Sequence, residues 1–208
     1  MAVLKSNVKK NTGKAITIKG GVVILLMVVA MVGYYYYLSN KDKQIKAEQV
    51  DMSVAQELIS RNLSTNYPPT PKEVVRYYSD ITRCFYNEEY TEEEFKQLVN
   101  KAYELYDRDL QVQNEYGQYL IELSKDIEYY KDNSIRIANY SVSASTDVDI
   151  FQDSGYDFAR LYCTYTLVRG ARRQPVEEVY LLRKDEDGHW RIYGWDLAEN
   201  VNIEEPEE

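Results

Sequence analysis

The chain has 208 residues and a formal charge of −9, which leaves room for one ordinary domain with an anchor or connector but not for two well-filled domains. The first 46 residues carry eight Lys and one Asp, so the remainder holds 17 basic against 33 acidic residues. A portion that acidic repels phosphate backbones and excludes nucleic acid as a partner.

From Gly20 to Leu38 the sequence runs GGVVILLMVVAMVGYYYYL, nineteen residues without a charge. As a helix it spans about 28 Å at about 1.5 Å per residue, enough for the hydrocarbon core of a bilayer. Lys5, Lys9, Lys10, Lys14 and Lys19 precede it with no acid among them. The positive-inside rule therefore predicts a cytoplasmic basic segment at residues 1–19, a transmembrane helix at 20–38 and an extracytoplasmic remainder. Tyr34, Tyr35, Tyr36 and Tyr37 fall at the outer interface, where amphipathic rings favour headgroup level. A cleaved signal peptide fits less well, because the small-residue stretch Val28-Val29-Ala30 lies inside the apolar run and no suitable site follows Leu38. The expected location is the cell membrane, crossed once.

Residues 39–69 read as a stalk. Ile45, Val50, Val54, Leu58 and Ile59 recur at helical spacing among polar residues, too few for three clean heptads, so a solvated spacer is expected rather than a coiled coil pairing two copies. The prolines of Asn66-Tyr67-Pro68-Pro69-Thr70-Pro71 stiffen the chain and predict the domain boundary at residue 70.

Thr70-Pro71-Lys72-Glu73 is a helix start, with a capping Thr and a Pro suited to the first turn. Val74, Tyr77, Tyr78, Ile81, Cys84 and Phe85 line one face of this first helix. Thr91 with Glu94 marks a second start, followed by the stripe Phe95, Leu98, Val99, Ala102, Tyr103 and Tyr106. A third, long helix follows Asp107-Arg108-Asp109 and ends near Lys131-Asp132-Asn133-Ser134. From Ile135 the period changes from 3.6 to 2. Four strands are predicted, at 135–148, 156–169, 175–184 and 189–196, joined by short turns that imply an antiparallel meander. Helices segregated ahead of strands give an α+β class: three helices packed on a curved four-stranded sheet over residues 70–197, then an acidic tail at 198–208.

This order of three helices and four strands resembles the cone-shaped fold of the nuclear transport factor 2-like superfamily, and Asp187-Gly188-His189-Trp190-Arg191-Ile192 resembles the final hairpin such domains often show. The likeness implies an inner face bearing Trp190 and Ile192, and departs from many members in lacking a hairpin between the second and third helices. A membrane-anchored version also resembles a family of uncharacterised surface proteins of Gram-positive bacteria, which implies an envelope location. The layout of one N-terminal helix plus a cone domain is shared with single-pass assembly subunits of type IV secretion and conjugation systems. Ketosteroid-isomerase-like members of the fold imply a third class, in which a buried Asp or Glu base works with an acidic donor.

Candidate chemistry is sparse. Cys84 and Cys163, the only cysteines, both have core-facing phases; a disulfide between them is allowed outside the cytoplasm, and two buried free thiols fit the same phases. His189, the sole histidine, is expected to be solvated at a strand end. The acidic turn Asp185-Glu186-Asp187-Gly188 does not match a twelve-residue calcium loop and reads as hairpin chemistry. Asp157 or Asp196 with a Tyr could imitate an isomerase site, but no spacing selects a pair. The cone either holds a pocket lined by Phe158, Tyr165, Trp190 and Asp196 or is filled by such side chains. No catalytic residue, cofactor or metal ligand is expected. The reading favours a non-enzymatic extracytoplasmic binding or assembly module whose partners are the membrane and envelope proteins or a second copy of itself.

Overall fold

Ser53 opens the first described helix by accepting from the Gln56 backbone N–H while the Gln56 side chain returns the bond, so two of the donors a helix start leaves unpaired are satisfied. The computed structural model describes residues 52–200, with Tyr34 alone before them. The basic segment at 1–19, the membrane segment at 20–38 apart from Tyr34, residues 39–51 of the expected stalk and the end of the acidic tail lie outside the described residues. Among the described residues no helix is long and apolar enough to cross a membrane. The chain divides into two units, Met1–Asp51 and Met52–Glu208, and every element below belongs to the second.

Helix α1 (Val54–Ser60) corrects the stalk boundary. Ala55 is fully buried and Leu63 nearly so, in one core with Val74 and Val75. Side-chain bonds tie this segment down: Tyr77 Oη donates to the Leu58 carbonyl at 2.7 Å, Gln56 to Glu94 at 3.0 Å, and Tyr67 Oη to the Trp190 carbonyl at 2.9 Å. The helical spacing expected of a spacer is instead an apolar face with a partner, and the folded unit starts near residue 52 rather than 70.

Helix α2 (Pro71–Asn87) is capped by Thr70, and α3 (Glu92–Glu104) carries the reciprocal capping box of Thr91 and Glu94. The predicted third helix is two: α4 (Arg108–Gln113) and α5 (Tyr116–Asp132). The break is stabilised from outside, because Tyr103 Oη bonds the carbonyls of Gln111 at 2.9 Å and Asn114 at 3.2 Å, which a finished helix leaves unpaired.

The sheet has five strands rather than four: β1 (Ile135–Val142), β2 (Asp149–Asp153), β3 (Tyr156–Arg169), β4 (Arg172–Lys184) and β5 (Trp190–Leu197). It is antiparallel in the order β1-β3-β4-β5, with β2 also on β3. The predicted strand 135–148 stops at Val142, a 3-10 turn at Ser145–Asp147 intervenes, and β2 resumes along the same edge of β3. Ser154 and Gly155 both have positive φ, 50° and 85°, as a two-residue hairpin twisting with its strands requires.

Two bulges set what faces inward. On β1 the register slips between Ile137 and Asn139, so Ile137 and then Tyr140 and Val142 share the inner face. On β5, Ile192 pairs with Leu182 but Gly194 pairs with Leu181, leaving Tyr193 as the extra residue and turning Trp195 rather than Asp196 inward, opposite Tyr180. The helices are stitched to β5 by backbone bonds from Asp107 to Ile192 and from Ile192 to Leu105, both 2.8 Å. Beside them the buried Asp107 carboxylate takes a two-pronged pair from Arg183, at 3.0 and 2.5 Å. The core between layers holds Leu98, Leu161, Leu182 and Ile192 at full burial, each contributing about 1.5–3 kcal/mol relative to exposure.

Candidate ligand-binding cavity

A cavity of about 360 Å³ opens between α2, α5 and the inner face of the sheet, within the range of small-molecule sites. Helical spacing supplies two walls: Tyr78, Thr82 and Tyr86 recur every four residues on α2, and Tyr119, Glu122, Asp126 and Tyr130 share one face of α5. Period-two spacing supplies the third, since Val176, Glu178 and Tyr180 on β4 point the same way, beside Tyr165 on β3. Trp195, 37% exposed, stands over Tyr78 and Tyr106 at 5.6 and 5.5 Å between ring centroids.

Two hydroxyl chains run into this space. Tyr180 Oη donates to Glu178 Oε2 at 2.6 Å, so the 3.0 Å contact with Tyr165 Oη is donated by Tyr165, and Ser79 Oγ, at 2.7 Å, donates to Tyr165 in turn. The order Ser79, Tyr165, Tyr180, Glu178 points every proton at the carboxylate. The second chain runs from Tyr78 through Tyr106 to Tyr119, at 3.0 and 3.1 Å. Burial pushes the hydroxyls of Tyr78, Tyr106, Tyr165 and Tyr180 well above the usual phenol range, so they stay protonated donors at any physiological pH. Burial also raises the half-buried Glu178 carboxyl above the ordinary carboxylate value, partly offset by the Tyr180 bond.

Of the four residues expected to line a pocket, Tyr165 stands in the wall. Phe158 is buried, but it is out of phase with Leu161, Cys163 and Tyr165, and it packs on the other face against Phe151 and Tyr193. Trp190 shares the inner phase but lies five residues from Trp195, roughly 16 Å of strand, where Tyr67 bonds its carbonyl. Asp196 is turned outward by the β5 bulge and accepts from Leu197 and Asn200. Asp157 accepts from Gln152 at 2.7 Å on the β2–β3 hairpin, away from the cavity wall. The acid that does enter the cavity, Glu178, breaks an otherwise apolar phase of Val176, Tyr180 and Leu182, which is the one signal of it that the sequence carries.

Cys84 and Cys163 are buried free thiols. Burial pushes Cys84 up to about 12, and Cys163 Sγ lies 3.5 Å from Ser79 Oγ behind the hydroxyl chain. His189 is half-buried against Tyr67, with ring centroids 4.4 Å apart, rather than solvated, and its Nδ1 has no hydrogen-bond partner among the described residues. Asp185, Asp187 and His189 bring one ligand atom each within 4.8 Å of one another. Asp185 is already engaged by Arg191 at 2.7 Å and by the His189 N–H at 2.8 Å, which is the hairpin chemistry the sequence suggests.

A family model described as a domain of unknown function (DUF6715) matches residues 7–195. No curated protein matches.

Proposed function

The chain belongs to the DUF6715 family, whose match takes in both the apolar segment and the folded unit, and on that premise we propose that it is a membrane-anchored, extracytoplasmic, small-molecule-binding domain of the cone-fold type. The cavity is the observation that carries the binding reading, because a filled cone would have favoured a purely structural role and this one leaves about 360 Å³ beside a recessed carboxylate. Helices followed by a curved antiparallel sheet support the likeness to the nuclear transport factor 2-like superfamily. The anchor rests on the uncharged stretch from Gly20 to Leu38 and the lysines ahead of it.

Binding fits the site better than isomerase chemistry. A base and a donor must both face the substrate, whereas Tyr180 spends its proton on Glu178. An assembly role in the envelope is the second reading, favoured by Ile121 and Tyr129, 50% and 56% exposed on α5.

Native mass spectrometry of the full chain, purified from its own cells in a non-ionic detergent, tests the first reading. A small-molecule adduct is expected on the wild type and absent from Val176→Trp, which fills the cavity. A wild type free of adducts that copurifies with a stoichiometric envelope protein would move the weight to assembly. Topology is read separately, by a membrane-impermeant maleimide on intact cells carrying Val112→Cys, a position 77% exposed; labelling is expected, and protection would contradict the orientation.

A further inference from the structure

We infer that the cavity selects a small organic cation, a substituted or quaternary ammonium group; this deepens the binding reading above and rests on it. Charge sets the sign. Three carboxylates line the space, Glu178 recessed and Glu122 and Asp126 exposed at the rim one turn apart on α5, while no Lys, Arg or His among the described residues lines it. An anion would meet these acids unpaired, and a neutral ligand would leave Glu178 shut in without a counter-charge once the cavity is filled.

Aromatic content sets the chemical type. Nine aromatic rings line the cavity, and the faces of such rings attract ammonium groups, most strongly when water is excluded. A hydrated metal ion needs six or more oxygen ligands held close together. Here Glu178 is the one recessed carboxylate, its Oε2 is already taken by Tyr180, and the oxygens that lead to it are phenol hydroxyls rather than further carboxylates. The direction of the hydroxyl chain points the same way. Ser79, Tyr165 and Tyr180 pass their protons toward Glu178, so the oxygens of this chain have lone pairs rather than protons left for a ligand. Trp195 over the mouth and the stacked pair Tyr86 and Tyr130, 4.2 Å apart, frame the approach.

The test uses three probes of one shape: choline, its neutral isostere 3,3-dimethyl-1-butanol, and the anion 3,3-dimethylbutanoate. Binding to the full chain in non-ionic detergent is followed by saturation-transfer NMR. Choline is expected to bind roughly tenfold or more tighter than the alcohol, with no saturable binding of the anion. Glu178→Gln should lower choline affinity roughly tenfold and leave the alcohol unchanged, with thermal unfolding reporting that the variant is folded. Equal affinity for choline and the alcohol, or tighter binding of the anion, would overturn the inference while leaving the cavity a binding site. Failure of all three probes to bind the wild type would overturn the inference and count against the binding reading with it.

Discussion

Tyr180 and Glu178 lie two residues apart on one face of β4 and share a 2.6 Å hydrogen bond in which the phenol donates to the carboxylate. Every other group in that chain is oriented by this one contact, and the carboxylate's position inside a largely aromatic wall controls both stability and ligand preference.

Glu178 makes stability fall with rising pH. Its folded-state pKa is raised by burial, so the native state holds the proton more tightly than the unfolded chain, whose value is about 4.3. The contribution is complete below that unfolded value and is lost as pH climbs through the folded one. Glu178→Gln is therefore expected to raise the midpoint of thermal unfolding at pH 7 and to lose that advantage at pH 4. An advantage that persists at pH 4 would point to packing instead.

The same titration predicts that choline binds more tightly as pH rises above the ordinary carboxylate range and then levels off. Tyr180, Tyr165, Tyr86, Tyr130 and Cys163 face Glu178 from the surrounding elements, and burial holds all of them in the protonated form through this window. The remaining acids of the wall, Glu122 and Asp126, stay in place in Glu178→Gln. Calorimetric titration across pH in wild type and variant should show the step only in the former.

Tyr180→Phe removes the donor and leaves the carboxylate of Glu178 in a poorly hydrated place without its partner. A loss of about 1–3 kcal/mol is expected in chemical denaturation at pH 7. Most of it should be recovered in the double variant with Glu178→Gln, and simple additivity of the two changes would deny the coupling.

Asp107, capping α4, and Arg183 on β4 form a nearly dry pair, their side chains 4% and 16% exposed. Asp107→Ala leaves the guanidinium with the half-exposed Asp109 carboxylate, 2.9 Å away, as its remaining partner, and a cost of about 1–3 kcal/mol is expected from denaturant unfolding.

Much of the architecture was legible because short-range physics wrote it. Thr70 with Pro71, and Thr91 with Glu94, announce helix starts that tertiary contacts had no reason to alter. The switch to period two at Ile135 marks the start of the sheet for the same reason. The segment before residue 70 was not legible, since its spacing suits a solvated helix as well as a docked one until α2 and α3 supply the other surface. The cavity was the hardest part to read. Alternation assigns faces only while register is continuous, and the extra residue at Tyr193, marked in the sequence only by the adjacent Gly194, swaps Trp195 for Asp196. Phe158 failed differently, because its phase was readable against Leu161 and Tyr165 and places it on the opposite face. Glu178 looked like one more charge on an acidic chain, and only the position of its neighbours in the strand shows that it enters the interior.

The most direct test of the cavity as the ligand site uses the two tryptophans as reporters. Incorporating 5-fluorotryptophan gives one fluorine at Trp195, over the mouth, and one at Trp190 toward the other end of β5, with Trp190→Phe assigning the signals. On titration with choline the Trp195 resonance should shift saturably while that of Trp190 stays put, and Glu178→Gln should weaken the shift. A choline response centred on Trp190, or none at either position, would contradict the account.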